Sequence, residues 1–393
     1  MRVRRVELEG FRSYRRAALD LSPGVTVLVG PNGQGKTNVV EALHRVAAGA
    51  SHRVAGDGPL VRDGADEALV HVDLTTDEGR ERRVDLRLGP GGTRAKVDGH
   101  AVRRAADAVG VLRAVMFAPE DLGLVRGDPG ERRRWLDAVL GQRRAVYAAT
   151  LAEYERTLRQ RNALLRDLRG RGASPGSAAA ESLAAWTQQL VAQGAPLVAA
   201  RLAAIAALRA PVAAAHRALT GTDTPVDLAH RSEVDLPDAD PEPDVADVAA
   251  RLTAALAAVA DEELRRGQTL VGPHRDDVLI ELDGRPARTT ASQGEAWSVA
   301  LALRVGSAEL LSQAGDRPVL LLDDVFSELD DARRARVAAL CAGFDQVVVT
   351  AAVDADVPLD GPRVDVRRDE HGSHLTPRDT TGDGHGQATA VPA

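Results

Sequence analysis

Cysteine is nearly absent from this chain of 393 residues. The single thiol, Cys341, excludes an internal disulfide framework and a thiolate zinc site, and it points to a reducing compartment, the cytosol. Aromatic residues are scarce at 3%, which leaves core packing to alanine and leucine. No uninterrupted apolar run reaches the roughly 18 residues of a membrane span, and the opening MRVRRVELEG lacks the apolar stretch of a secretion signal. Lysine is the most informative shortage. Of 50 basic side chains only Lys36 and Lys96 are not arginine. A chain that avoids lysine carries one where a phosphate-binding loop requires a compact ammonium.

The net charge of −7 argues against a uniformly basic nucleic-acid binder, but it is an average. Acidic stretches such as Asp235 to Asp247 offset arginine concentrated elsewhere, so any DNA contact is expected as a local patch. The first 50 residues read as two alternating strands, then the apolar run Val25 to Val29, a glycine-rich turn and an amphipathic helix from Lys36 to Ala48. Short alternating segments between Ala68 and Gly99 predict an antiparallel sheet beside the main one. From Glu131 to Gly267 the pattern changes to long alanine-rich and arginine-rich helices, with a strand only at Val226 to Leu228. Within that block Gln142 to Arg169 reads as one rod, Gly170 to Gly176 as a loop, and Pro196 and Pro211 as helix ends or kinks. Strands and helices resume after Gly272. These patterns predict an α/β head split between residues 1–130 and 268–370, an inserted helical arm at 131–267 and a disordered tail at 371–393.

Gly30, Pro31, Asn32, Gly33, Gln34, Gly35, Lys36 and Thr37 satisfy G-x-x-x-x-G-K-[ST] between an apolar strand and a helix, the context this loop requires. Glycines let successive N–H groups turn onto phosphates, and the helix N-terminus adds partial positive charge. Lys36 is expected to reach the β- and γ-phosphates, and the Thr37 hydroxyl to ligate Mg²⁺. Far along the chain, Val319 to Leu322 forms a buried strand ending in Asp323 and Asp324. Asp323 is the second expected Mg²⁺ ligand, and Asp324 the group that orients or deprotonates the attacking water. Between them Ser292, Gln293 and Gly294 open a long helix, with Ser292 and Glu295 also spelling a capping box. Candidate DNA-facing arginines are Arg132, Arg133, Arg134, Arg143 and Arg144, with Arg156, Arg159, Arg161, Arg166 and Arg169 along the arm. His274 and Arg275 fit either the nucleotide site or the fold.

A small-residue signature at a helix start followed by D-D-x-x-S-E-L-D resembles ABC-type ATPases of the SMC and Rad50 kind. Within that class the chain is similar to the RecF family of recombination mediators. The residues carrying the likeness are Leu8 to Tyr14, Gly30 to Asn38, Phe117 to Leu122, Gly130 to Asp137, Gly272 to Asp277 and Leu322 to Asp330. The resemblance implies an ABC-type P-loop head and a homodimer that closes around ATP. In such a dimer Ser292, Gln293 and Gly294 of one copy meet the γ-phosphate held by the other, and Ser327 to Asp330 cross the same interface. It also implies binding to duplex and gapped or junction DNA, partnership with RecO and RecR, and help in placing the RecA recombinase. Two features imply slow turnover, a weak DNA-dependent ATPase or an ATP-gated clamp that hardly hydrolyses. The family signature S-Q-G-Q-Q-R becomes Ser292-Gln293-Gly294-Glu295-Ala296-Trp297, placing a carboxylate near the partner's γ-phosphate. Thr350 stands where many ABC transporters have a switch histidine.

Overall fold

The apolar runs become the parallel centre of a six-stranded sheet in the computed structural model, which describes residues 1–54, 56–169, 177–327 and 329–378. Strand order across this sheet is Gly372–Pro377, Arg363–Asp369, Gly24–Val29, Gln346–Ala351, Val319–Asp323 and Ala114–Phe117. The four strands from Gly24–Val29 to Ala114–Phe117 run parallel, and three are rich in valine or leucine because both faces are covered. Register then decides what meets: Thr350 pairs with Leu28 on one side and with Asp323 on the other. The strand Gln346–Ala351 therefore bridges the chain's first and last thirds.

A second sheet is antiparallel, in the order Tyr14–Asp20, Arg2–Phe11, Ala68–Thr75, Glu81–Leu88, Arg94–Val97 and His100–Ala101. Alternation turns Ala68, Val70, Val72 and Leu74 inward, onto a core shared with the helix Lys36–Ala48 and with Leu28, Leu321 and Val348 of the parallel sheet. The opposite face of the parallel sheet, with Val27, Leu320, Leu322, Val347 and Val349, belongs to a second core built with the long helices. The predicted pairing of a main sheet with an antiparallel neighbour is present.

The helical segment departs from expectation in three ways. The rod predicted from Gln142 breaks at Arg144, whose extended backbone (φ −147, ψ 111) separates Pro129–Arg143 from Ala145–Leu168. Pro196 and Pro211 do not end a helix; Ala178–Thr220 runs through both. Each interior proline costs about 3 kcal/mol, yet Leu197, Val198, Leu202, Ile205, Leu208 and Val212 are all buried, and each such side chain contributes about 1.5–3 kcal/mol. Burial wins. This helix packs on Gln293–Ser312 so closely that a Cβ at Gly306 would stand 2.6 Å from Val212 Cγ2. By length and composition alone it could cross a membrane, but half of its most apolar window lies inside the protein. The third departure is the strand Val226–Arg231, longer than expected, which pairs with Asp277–Leu282 and ties the arm to the returning chain.

Near that tie, buried arginines pair with carboxylates. Arg201 donates to Asp137 at 2.9 and 3.0 Å, Arg132 to Asp277 at 2.7 and 2.9 Å, and Arg161 to Glu263 at 2.6 Å. Asp276 accepts from Ser232 at 2.6 Å and faces the imidazole of His230. The predicted tail needs correction, because Gly372–Pro377 is a strand paired with Arg363–Asp369, Leu375 opposite Val366. Its remainder, residues 379–393, and the predicted loop at 170–176 lie outside the described residues.

His274 belongs to the fold. Its Nδ1 lies 2.7 Å from the Tyr154 hydroxyl, and burial pulls its pKa down from the ordinary 6.5 to about 4. The unfolded chain takes up that proton and the native chain resists it. The associated stability is therefore intact above pH 6.5 and lost as pH falls toward 4, by up to roughly 3 kcal/mol. Urea denaturation at pH 7 and pH 4.5 is expected to show His274→Gln less stable at pH 7, with the gap to wild type closing in acid. A gap independent of pH contradicts this.

Candidate nucleotide site

Gly30 to Gly35 follow the strand Gly24–Val29 directly, and the helix Lys36–Ala48 begins at the lysine. Gly35 has φ +109, and a Cβ there would meet Ser373 Oγ at 2.6 Å and Ser13 Oγ at 2.8 Å. Only glycine fits both the backbone angle and the space. The Lys36 ammonium folds over its own loop, donating to the carbonyls of Gly30 at 2.6 Å and Pro31 at 3.0 Å and to Asn32 Oδ1 at 3.4 Å. Burial lowers its pKa, opposed by the charges of Asp324 and Asp323.

The Thr37 hydroxyl donates to Asp323 Oδ1 at 2.9 Å across 286 residues of sequence. Thr350 donates to the same oxygen at 2.6 Å. Asp323 is 4% exposed, and burial raises its pKa against the two hydroxyls that favour its anion. An anion that burial disfavours gains most from a cation beside it. A hydroxyl and a carboxylate oxygen this close are hard donors of the kind that suit Mg²⁺. Asp324 follows with φ +51, its N–H held by Thr350 O at 3.2 Å and Oγ1 at 3.0 Å.

These groups share a cleft of about 330 Å³ with Asn32, Gly33 and Asn38. Sequence reasoning missed six of its lining residues as site residues: Ser13, Arg53, Pro119, Glu120, Thr350 and Arg368. Ser13, Pro119 and Glu120 lie inside family-like strings, so a signal existed; Arg53 and Arg368 stand in no motif. Arg53 approaches the fully buried Glu41 at 3.9 Å, which is itself clamped by Arg12 at 2.6 Å.

Ser292, Gln293, Gly294 and Asp330 do not line this cleft. Ser292 caps the helix Gln293–Ser312 as a full capping box: its Oγ accepts from Glu295 N–H at 3.3 Å, and its own N–H donates to Glu295 Oε2 at 2.8 Å. Asp330 caps the helix Asp331–Cys341, and Arg333 from that helix packs against Gly294. Ser327 Oγ donates to Asp324 O at 3.0 Å, while Glu328 lies outside the described residues.

Two candidate DNA contacts are corrected. Arg132 is 4% exposed and committed to Asp277 and to the carbonyls of Leu124 and Gly127; Arg161 is 3% exposed and committed to Glu263, Thr269 and Thr187. Neither guanidinium can reach a phosphate. Arg133 is half-buried and donates to Asp276 O at 2.6 Å, and Arg143 is half-buried too. Arg134, Arg144, Arg156, Arg159, Arg166 and Arg169 are exposed.

Gly33→Ala meets no atom within 4 Å and carries only the strain of φ +81, whereas Gly35→Ala adds a collision. The first is expected to cost about 1–2 kcal/mol of backbone strain and the second more. Calorimetric MgATP titration is expected to rank affinity as wild type, Gly33→Ala, then Gly35→Ala; the reverse order of the two variants refutes the packing argument.

Residues 2–357 match the RecF/RecN/SMC N terminal domain. The DNA replication and repair protein RecF of Acidothermus cellulolyticus is 49% identical over 364 residues, covering 91% of this chain and 96% of that one. RecF of Frankia alni is 48% identical over 362 residues, with 92% and 96% covered. A solved structure of the recombination mediator protein RecF-ATP in the RecFOR pathway superposes with a TM-score of 0.83 at 25% identity, over 96% of this chain and 99% of that one. An SMC head bound to the C-winged helix domain of ScpA shares the fold at a TM-score of 0.54 and 17% identity, over 97% and 98% of the two chains. A split head with this strand order, a Lys36–Thr37 loop meeting Asp323, and likeness along almost the whole length place the chain in the RecF family.

Proposed function

We propose that this chain is an ATP-dependent recombination mediator of cytoplasmic DNA repair, which dimerises around nucleotide on duplex or gapped DNA and, with RecO and RecR, helps load the RecA recombinase. The observation that carries the reading is the 2.9 Å bond from Thr37 to Asp323, which unites two motifs in one cleft. Residues 1–130 and 268–378 form the head of this reading, and 131–267 the arm.

Lys36 and the N–H groups of Gly33 to Thr37 hold the triphosphate. Thr37 and Asp323 would hold Mg²⁺, which would supply charge neutralisation to the triphosphate. Asp324 orients the attacking water and accepts its proton, with its backbone fixed by Thr350. Ser292, Gln293, Gly294 and Asp330 face solvent or lie half-covered, available to a second copy's triphosphate. The six exposed arginines neutralise DNA phosphates without reading sequence, so binding weakens steeply with salt.

A second reading, an ATP-gated clamp with negligible hydrolysis, draws support from the Glu295 carboxylate at the opening of the signature helix. Steady phosphate release that disappears in Asp324→Asn favours the ATPase; no release from wild type favours the clamp. DNA binding is expected to strengthen with ATP in wild type and to lose that ATP dependence in Lys36→Met. Equal ATP enhancement in both proteins counts against the proposal. Sedimentation with ATP is expected to show tighter dimers for Glu295→Gln, and unchanged association removes the charge argument.

A further inference from the structure

The matched family domain ends at residue 357, and the hairpin of Arg363–Asp369 and Gly372–Pro377 lies beyond it. That hairpin meets the phosphate loop at three points. Val366 O lies where a Cβ on Gly30 would come within 2.2 Å. The main-chain N–H of Arg368 donates to Gln34 Oε1 at 2.6 Å. Ser373 Oγ, on a residue 1% exposed, lies 2.6 Å from Gln34 O and 2.7 Å from Ser13 Oγ.

A hydroxyl carries one hydrogen, and a carbonyl can only accept. Ser373 therefore donates to Gln34 O, Ser13 donates to Ser373, and Asn38 Nδ2 donates to Ser13 at 2.8 Å. The chain leaves no hydroxyl unpaired. One residue further on, the Tyr14 hydroxyl donates to Gly35 O at 3.1 Å. In a trans peptide the C=O and the following N–H point in opposite directions. No cis peptide occurs among the described residues. Holding the Gln34 carbonyl toward Ser373 therefore turns the Gly35 N–H away from the hairpin, and holding the Gly35 carbonyl toward Tyr14, with the Asn38 N–H at 3.1 Å as its second donor, turns the Lys36 N–H away from Tyr14. Gly35 and Lys36 both line the cleft.

We infer that Ser373 and Tyr14 are positioning residues for nucleotide binding: they lock two successive peptide planes of the phosphate loop with their N–H groups toward the phosphates, and the C-terminal hairpin is part of the nucleotide site. This inference rests on the nucleotide reading above. It adds residues that touch neither phosphate nor metal, and it explains why glycine is required at position 35, where a side chain would displace both serine hydroxyls. A loop without these anchors must order its amides when phosphate arrives, and that cost appears as lost affinity.

The test is calorimetric titration of the full chain with MgATP and MgADP, comparing wild type, Ser373→Ala and Tyr14→Phe, with melting temperatures of the unliganded proteins. Each variant is expected to raise both dissociation constants about fivefold to tenfold, the worth of one buried hydrogen bond, while melting within a few degrees of wild type. Tyr14→Phe keeps the buried ring and stays informative if Ser373→Ala folds poorly. Affinities within twofold of wild type in a well-folded variant overturn the inference. Wild type that takes up no nucleotide overturns the nucleotide reading and this inference together.

Discussion

One carboxylate oxygen organises the head. Asp323 Oδ1 accepts from Thr37 on the loop side and from Thr350 on the neighbouring strand, within 2.9 and 2.6 Å. This convergence is possible only because the strand Gln346–Ala351 inserts between Gly24–Val29 and Val319–Asp323 in parallel register. A shift of one residue would turn Thr350 to the other face of the sheet, and the junction would be lost. The buried valines and leucines of these strands therefore do more than fill a core. They fix a register in which groups far apart in sequence share one oxygen.

The near-exclusive use of arginine has a structural side that composition alone does not reveal. Arg132, Arg161 and Arg201 sit within a few per cent of full burial, each facing a carboxylate and further acceptors. A planar fork with five donors can satisfy a carboxylate and one or two carbonyls together, which a lysine ammonium on a flexible stem does poorly. Breaking such a buried pair costs about 3–5 kcal/mol because the remaining charge is stranded. A few arginines, Arg132, Arg133, Arg161 and Arg201, thus join the arm to the head, while most of the arm's described arginines are exposed.

The phosphate loop and the Asp323–Asp324 pair were legible because their evidence is local: fixed spacing, an apolar strand before, a helix or acidic turn after. The burial of Arg132 was not, because its partner Asp277 arrives 145 residues later. Pro196 misled in part for a related reason, since local propensity argued for an end or a kink while a deep core argued for continuation. The strand Gly372–Pro377 escaped notice because it holds one large apolar residue, Leu375, and its place depends on pairing with Val366 and on Ser373 meeting the loop. Motifs write themselves in sequence when chemistry fixes spacing; supports do not, because many residues can supply a hydroxyl or an N–H from another segment.

The opening of the signature helix shows how one serine serves two demands. Ser292 uses one lone pair of its hydroxyl to accept from Glu295 N–H, which leaves the hydroxyl hydrogen for an outside acceptor such as a phosphate oxygen. Its own N–H is spent on the Glu295 carboxylate, so of the first-turn donors Gln293 and Gly294 remain for an anion. The same bond lowers the Glu295 pKa and keeps its charge at neutral pH, close to where those donors point. A glutamine could accept from Ser292 N–H through its amide oxygen just as well, without the charge. The capping geometry alone therefore does not require the carboxylate, whose charge instead weakens the pull of this helix N-terminus on any anion that approaches it.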